Sequence, residues 1–201
     1  MRENIGSVKC RICNNKEESL DHIMAGCTML APTQYLDRHN SVAKILHKEI
    51  IKKYLAEHDD PNPYYQYEPR PVTENELVGV YWDRQILTDR PIQHNKPDIL
   101  IYQKVENKVI MADVAVPLAA NIQKTNREKI SKYVQLAEEI KKMWNVESVR
   151  ILPVVIGATG EVPMKLHESL KEMGVAPELY RRLQKAVVLQ TCAGIRRVMG
   201  S

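Results

Sequence analysis

Pro97-Asp98-Ile99-Leu100-Ile101-Tyr102 and Val109-Ile110-Met111-Ala112-Asp113-Val114-Ala115-Val116 are the two stretches on which the reading of this chain turns. Both are apolar, rich in β-branched residues and separated by a short polar connection, so they predict two antiparallel strands of a hairpin. With the turn centred on Glu106-Asn107 and Lys104 paired with Val109, Leu100 falls opposite Asp113 and Asp98 opposite Ala115. Strand alternation then places Asp98 and Asp113 on one sheet face as diagonal neighbours about 7 Å apart, close enough to share a cation. A turn of odd length would break that phase. Asp113 is the stranger residue, because it interrupts an apolar strand where an ionised carboxylate is costly unless paired or metal-bound. A buried Arg or Lys partner is the structural alternative. Asp98, at a strand start after proline, is unremarkable alone.

Outward from this hairpin, Val78–Trp82 and Val149–Ile156 carry further strand signals. Helical periodicity covers about Asn121–Trp144, Met164–Met173 and Pro177–Val198. Strands beside long amphipathic helices predict an α/β domain with a central mixed sheet flanked by helices, spanning residues 73–201. Before it, Leu36, Val42, Ile45, Leu46, Ile50 and Leu55 mark a helix over roughly Thr33–Glu57. Proline-dense segments at His58–Pro63 and Pro69–Pro71 then end the helix and read as a stiff, Tyr-rich connector, making residues 33–72 a linker region.

On a helical wheel, Ile122, Ile130, Tyr133, Leu136, Ala137, Ile140, Met143 and Trp144 form one apolar stripe of the helix from Asn121. Lys129 falls inside that stripe, where a lysine needs a partner, a task, or a path along its neighbours to solvent. Lys132 sits at the stripe's edge. Two carboxylates and a lysine suit metal-assisted phosphodiester hydrolysis. The acids hold Mg²⁺ or Mn²⁺, and the lysine orients a water or neutralises charge developing on phosphate. Gly157-Ala158-Thr159-Gly160 lacks the lysine of a phosphate-binding loop, and His39, His47 and His167 show no obvious partners in sequence.

Residues 1–32 make a separate unit. Cys10, Cys13, His22 and Cys27 have the form C-x2-C-x8-H-x4-C, a spacing that can close a tetrahedral shell around one structural zinc. So small a segment lacks the apolar area to fold alone, and zinc would supply that stability. Ordinary free cysteines are the alternative, and disulfides lack a secretory context. Cys192, in an apolar helical pattern, reads as a small core residue.

The composition frames these sites. The 201 residues are 44% hydrophobic and 27% charged, which excludes wholesale disorder. No apolar stretch is long enough for a transmembrane helix, and no signal peptide is visible. Residues 51–119 carry net −3 and residues 162–201 net +4. An acidic middle before a basic end suits a carboxylate site beside a surface for a polyanion, though a mixed solvated surface would have the same count.

Taken together, the zinc spacing, Asp21-His22…Gly26-Cys27, Arg38-His39-Asn40, Thr88-Asp89-Arg90, Pro97-Asp98, Asp113-Val114-Ala115-Val116-Pro117 and Lys132-Tyr133…Met143-Trp144 resemble a known family. The chain looks like the C-terminal region of a non-LTR retrotransposon reverse transcriptase polyprotein. There a CCHC zinc knuckle leads into a restriction-enzyme-like endonuclease of PD-(D/E)xK type. The resemblance implies a divalent-metal-dependent endonuclease that nicks target DNA, whose freed 3′-hydroxyl primes reverse transcription. Asp98 and Asp113 would hold the metal. The usual lysine two residues after the second acid is replaced by Ala115, so the basic role passes to Lys129 first and Lys132 second. Tyr133 would assist, and Asp89 would add a further acid. Arg38, Arg127 and the basic C-terminal helices would meet phosphates, and the knuckle would grip DNA or the element's RNA. The implied partner domain is a reverse transcriptase, for which this length has no room. The chain would then be a polyprotein fragment, a truncated copy or a free-standing derivative. The implied setting is intracellular and nuclear. A nucleic-acid-binding derivative that no longer cuts, and a zinc-stabilised interaction module, are the competing readings.

Overall fold

A computed structural model describes residues 8–200. A five-stranded sheet in the order β1-β2-β3-β4-β5 organises the chain. The strands are β1 (Val72–Glu74), β2 (Val78–Trp82), β3 (Ile99–Gln103), β4 (Lys108–Ala115) and β5 (Ser148–Val155). The first four pair antiparallel. β5 joins β4 in parallel after a crossover through α2 (Ile122–Met143), as a parallel pair requires. The architecture is thus α/β with a mixed sheet, and it adds the three-residue β1, which straddles the expected boundary between connector and domain.

Strand alternation divides the sheet into two faces. Val80, Ile99, Ile101, Ile110, Ala112, Val114, Leu152 and Val154 pack against three helices, α1 (Leu36–Tyr54), α3 (Met164–Glu172) and α4 (Tyr180–Met199). Leu100, Val109 and Met111 face Tyr133, Leu136 and Ile140 of α2. β4 is therefore buried on both sides, the pattern of a central strand in a helix-covered sheet.

Four expectations need correction. The hairpin register pairs Ile99 with Ala112 and Gln103 with Lys108, enclosing a four-residue loop with Asn107 at φ 48°. This is two residues from the expected register, so every face is preserved. Asp98, however, moves from a diagonal position to one directly across from Asp113. The helix expected as part of a linker is a core element: Val42, Ile45, Leu46, Ile50 and Leu55 of and just after α1 are buried within the sheet's larger cluster. Ile130 is 41% exposed, because the buried face of α2 runs through Ile122, Asn126, Tyr133, Leu136 and Ile140. Cys192 is exposed, since α4 buries Leu183, Ala186, Val187, Thr191 and Gly194 instead.

The N-terminal unit is not a bead on a string. Cys10, Ile23, Cys27, Leu30 and Val198 form a third, small cluster that seats it on the end of α4. Gly174 ends α3 at φ +71°, where a Cβ would come within 2.6 Å of the Tyr54 hydroxyl. That hydroxyl donates to the Met173 carbonyl and ties α1 to α3.

Candidate functional site

The zinc-type cluster is assembled by local chain folding. The Cys10 N–H donates to the Lys16 carbonyl, the Asn14 N–H to the Cys10 carbonyl and the Glu18 N–H to the Val8 carbonyl, folding residues 8–18 into a tight hairpin. A helical turn, His22–Gly26, then brings back the histidine. The four ligand atoms of Cys10, Cys13, His22 and Cys27 lie within 4.8 Å of one another, and Cys13 Sγ is 3.3 Å from His22 Nε2. Ligand atoms of a tetrahedral zinc are separated by roughly 3.5–3.8 Å, so the four can hold such an ion with small adjustments. Backbone N–H groups of Lys16 and Asn15 push the Cys13 thiol down to about 6, favouring the thiolate a metal needs. Burial pushes the Cys27 thiol up. Tyr35 fastens the turn: its hydroxyl accepts the Cys27 N–H and donates to the Ile23 carbonyl at 2.7 Å.

The second site lies at one end of the sheet. Asp113 is 3% exposed, on the face covered by α2. Lys129 and Lys132 are one turn apart on that helix, and both ion-pair with it. Lys129 Nζ meets Oδ2, and Lys132 Nζ lies 3.4 Å from Oδ1. The Tyr133 hydroxyl donates to Oδ1 at 2.5 Å, with the Lys96 carbonyl 2.9 Å away on its other side. Burial first, then the Asp113 charge, raises the Tyr133 pKa, so the phenol stays protonated and donates. Asp113 Oδ2 is buried and receives no hydrogen bond of good geometry despite its ion pair. The Lys129 ammonium is its counter-ion, and a metal ion at this oxygen would have to displace that ammonium.

Asp98 immediately precedes β3, so the register places its Cβ about 5 Å from that of Asp113. Its Oδ2 accepts the Val114 N–H at 2.6 Å and lies 3.0 Å from His39 Nε2. Burial opposes its ionisation, but the His39 hydrogen bond and charge, the Val114 N–H and Lys129 outweigh burial and hold the pKa below the usual carboxylate range. Asp98 opens on a cleft of about 450 Å³, whose lining includes Leu36, His39, Asn40, Lys44 and Trp82. Asp98 Oδ1 has no protein hydrogen bond among the described residues, whereas Asp113 Oδ2 is held by Lys129 Nζ. Carboxylate donors fit Mg²⁺ or Mn²⁺.

Not every expected residue joins this group. Asp89 is exposed, and no hydrogen bond or ion pair among the described residues links it to either acid. Its neighbour Arg90 is held by Glu139, ten residues or about 15 Å along α2 from Lys129. Arg38 is 3% exposed, so it presents nothing to DNA. Its guanidinium instead donates to Thr191 Oγ1 at 2.9 Å, to the Met24 carbonyl at 3.0 Å and to the Val116 carbonyl at 3.4 Å. Arg127 is exposed on α2.

The histidines do have partners. His47 Nδ1 shares a hydrogen bond of 2.7 Å with the Tyr67 hydroxyl, and its ring stands edge-on to Trp82. His167 meets the Tyr180 ring. His39, against Asp98, is the site residue that sequence reasoning passed over. Its signal was its place on the Val42–Leu46–Ile50 face of α1, where a polar side chain needs a partner. No protein-family model matches the chain, and the search of curated proteins returns no match.

Proposed function

We propose that the chain is a divalent-metal-dependent DNA endonuclease of restriction-enzyme-like fold, with a structural zinc at Cys10, Cys13, His22 and Cys27. The observation that carries this reading is the placement of Asp98 directly across from Asp113, with Lys129, Lys132 and Tyr133 on the helix above them. Asp98 and Asp113 would hold Mg²⁺ or Mn²⁺, and the bound ion would polarise a phosphodiester and acidify an attacking water. Lys129 Nζ, now against Asp113, is within reach of a phosphate oxygen or that water, where its charge stabilises the charge that develops in the transition state. The Tyr133 hydroxyl holds the Asp113 carboxylate in place. Water adds to phosphorus, the bond to the 3′-oxygen breaks, and that oxygen takes a proton. The product is a nick with a 3′-hydroxyl, the end from which a reverse transcriptase extends. Arg127 and the exposed Arg181, Lys185, Arg196 and Arg197 supply positive charge for the DNA backbone, independent of sequence.

The test is nicking of a supercoiled plasmid in Mg²⁺ or Mn²⁺ by the wild type and by Asp98→Ala and Asp113→Ala. The reading requires metal-dependent relaxation by the wild type and its loss in both variants. A second reading, a nucleic-acid-binding derivative that no longer cuts, is favoured by one observation: Asp113 already has three side-chain partners, which alone would make it a structural ion-pair centre. That protein would bind DNA with strong salt dependence and leave the plasmid intact. No helix among the described residues is long and apolar enough to cross a membrane.

A further inference from the structure

His39 comes from α1, far from Asp98 in sequence and on the opposite side of the sheet from α2. Its two ring nitrogens are both committed. Nε2 lies 3.0 Å from Asp98 Oδ2, and Nδ1 lies 3.3 Å from Asn40 Oδ1. The ring therefore has no nitrogen left to coordinate a cation itself. The Val114 N–H reaches the same Asp98 oxygen at 2.6 Å. Two donors, one from α1 and one from the backbone of β4, thus occupy Oδ2. Oδ1 has no protein hydrogen bond among the described residues. A carboxylate pinned through one oxygen by two donors cannot rotate freely about its side-chain torsions, and its other oxygen has a set direction.

We propose that His39 is a positioning residue for the metal site: by fixing Asp98 Oδ2 together with the Val114 N–H, it aims Oδ1 at the cation shared with Asp113. This rests on the endonuclease reading above and adds a residue to it. Partners that orient metal-bound carboxylates typically account for 10–100-fold in metal affinity. Electrostatics alone predicts the opposite sign, because deleting a potentially cationic ring beside a carboxylate would strengthen cation binding. The direction of the change therefore separates positioning from charge.

The experiment measures Mn²⁺ affinity of the full, zinc-loaded chain by electron paramagnetic resonance, alongside plasmid nicking as a function of Mn²⁺. His39→Ala should weaken Mn²⁺ binding 10-fold or more, and nicking should recover toward the wild-type rate at saturating Mn²⁺. His39→Gln, whose amide nitrogen can donate to Asp98 from nearly the same point, should recover most of the affinity. Unchanged or tighter Mn²⁺ binding by a folded His39→Ala, with binding abolished in Asp98→Ala, overturns the role of His39 and leaves the endonuclease reading intact. A His39→Gln variant that binds as poorly as the alanine also overturns it. Wild-type Mn²⁺ affinity in both Asp98→Ala and Asp113→Ala would overturn the metal site and the role of His39 together.

Discussion

The two candidate metal centres of this molecule differ in how they are built. Cys10, Cys13, His22 and Cys27 lie within one short segment, and their ligand atoms converge within 4.8 Å through a hairpin and a single helical turn. Four donors of that kind close a tetrahedral shell and leave no position for a substrate. Asp98 and Asp113 meet only because two strands pair in one register, and the cations beside them come from a helix on the far side of a crossover. Under the proposed reading they would supply two carboxylate oxygens and leave the rest of the coordination sphere to water and phosphate. The first arrangement suits an ion that stabilises a fold, whereas the second, on the proposed reading, would hold an ion with positions open for chemistry.

Both centres hang on the first turn of α1. Arg38 joins the knuckle through the Met24 carbonyl to the strand end at Val116 and to α4 at Thr191. His39, the next residue, turns to Asp98. The knuckle and the carboxylate site are therefore braced by adjacent residues of one helix.

Removing zinc should separate the two regions most sharply. Structural zinc in comparable small sites contributes on the order of 10 kcal/mol, far more than any apolar contact in this knuckle. A chelator should release one zinc per chain and abolish hydrogen-exchange protection over residues 8–30, while β2–β5 stay protected. Loss of protection throughout the sheet would show that the two regions form one cooperative unit.

The next largest effect falls on Arg38. Arg38→Ala strands the buried Met24 carbonyl, frees the partly buried Val116 carbonyl and deletes a packed stem, for a cost of about 3–4 kcal/mol by urea unfolding. A loss under about 1 kcal/mol would mean that the knuckle docks without this brace.

His47 tests whether α1 belongs to the core. Burial pushes its pKa down to about 4, below the ordinary 6.5. The unfolded chain thus takes up the proton first, and stability falls as pH drops from about 6.5 to 4. The full loss from this group is about 3 kcal/mol. His47→Gln keeps a hydrogen-bonding group for Tyr67 without titrating, and should flatten the stability profile across that window. An unchanged slope would contradict the burial of His47.

Smaller effects distinguish the lysines. Lys129, against the otherwise unbonded Oδ2, should matter more to nicking than Lys132 at 3.4 Å from Oδ1. Loss of about 100-fold in Lys129→Ala and about 10-fold in Lys132→Ala corresponds to roughly 2.7 and 1.4 kcal/mol of transition-state stabilisation. The reverse order would reassign the basic role.

What the sequence disclosed follows the range of the interactions. The cysteine–histidine spacing is local, and the four residues it named do converge. Strand alternation put Asp98 and Asp113 on one face, and a two-residue error in register left that face unchanged because side chains alternate with period two. Lys129 stood out as a cation in an apolar stripe. The missed features are contacts between distant segments. Arg38 read as phosphate-facing because nothing in the sequence shows Met24, Val116 and Thr191 closing around the guanidinium. α1 read as part of a linker because proline-dense segments follow it, although its own apolar stripe required a partner surface. Cys192 read as core because apolar residues surround it in sequence, while the face that packs is set by α1 and the sheet.

Plasmid nicking by the zinc-loaded chain in Mg²⁺, with Asp98→Ala and Asp113→Ala in parallel, tests the central claim most directly. The account predicts conversion of supercoiled to open-circular DNA by the wild type, none in EDTA, and at least a 1000-fold loss in each variant, about 4 kcal/mol. Nicking retained at the wild-type rate in either variant, or no nicking by the wild type with Mg²⁺ or Mn²⁺ bound, would contradict it.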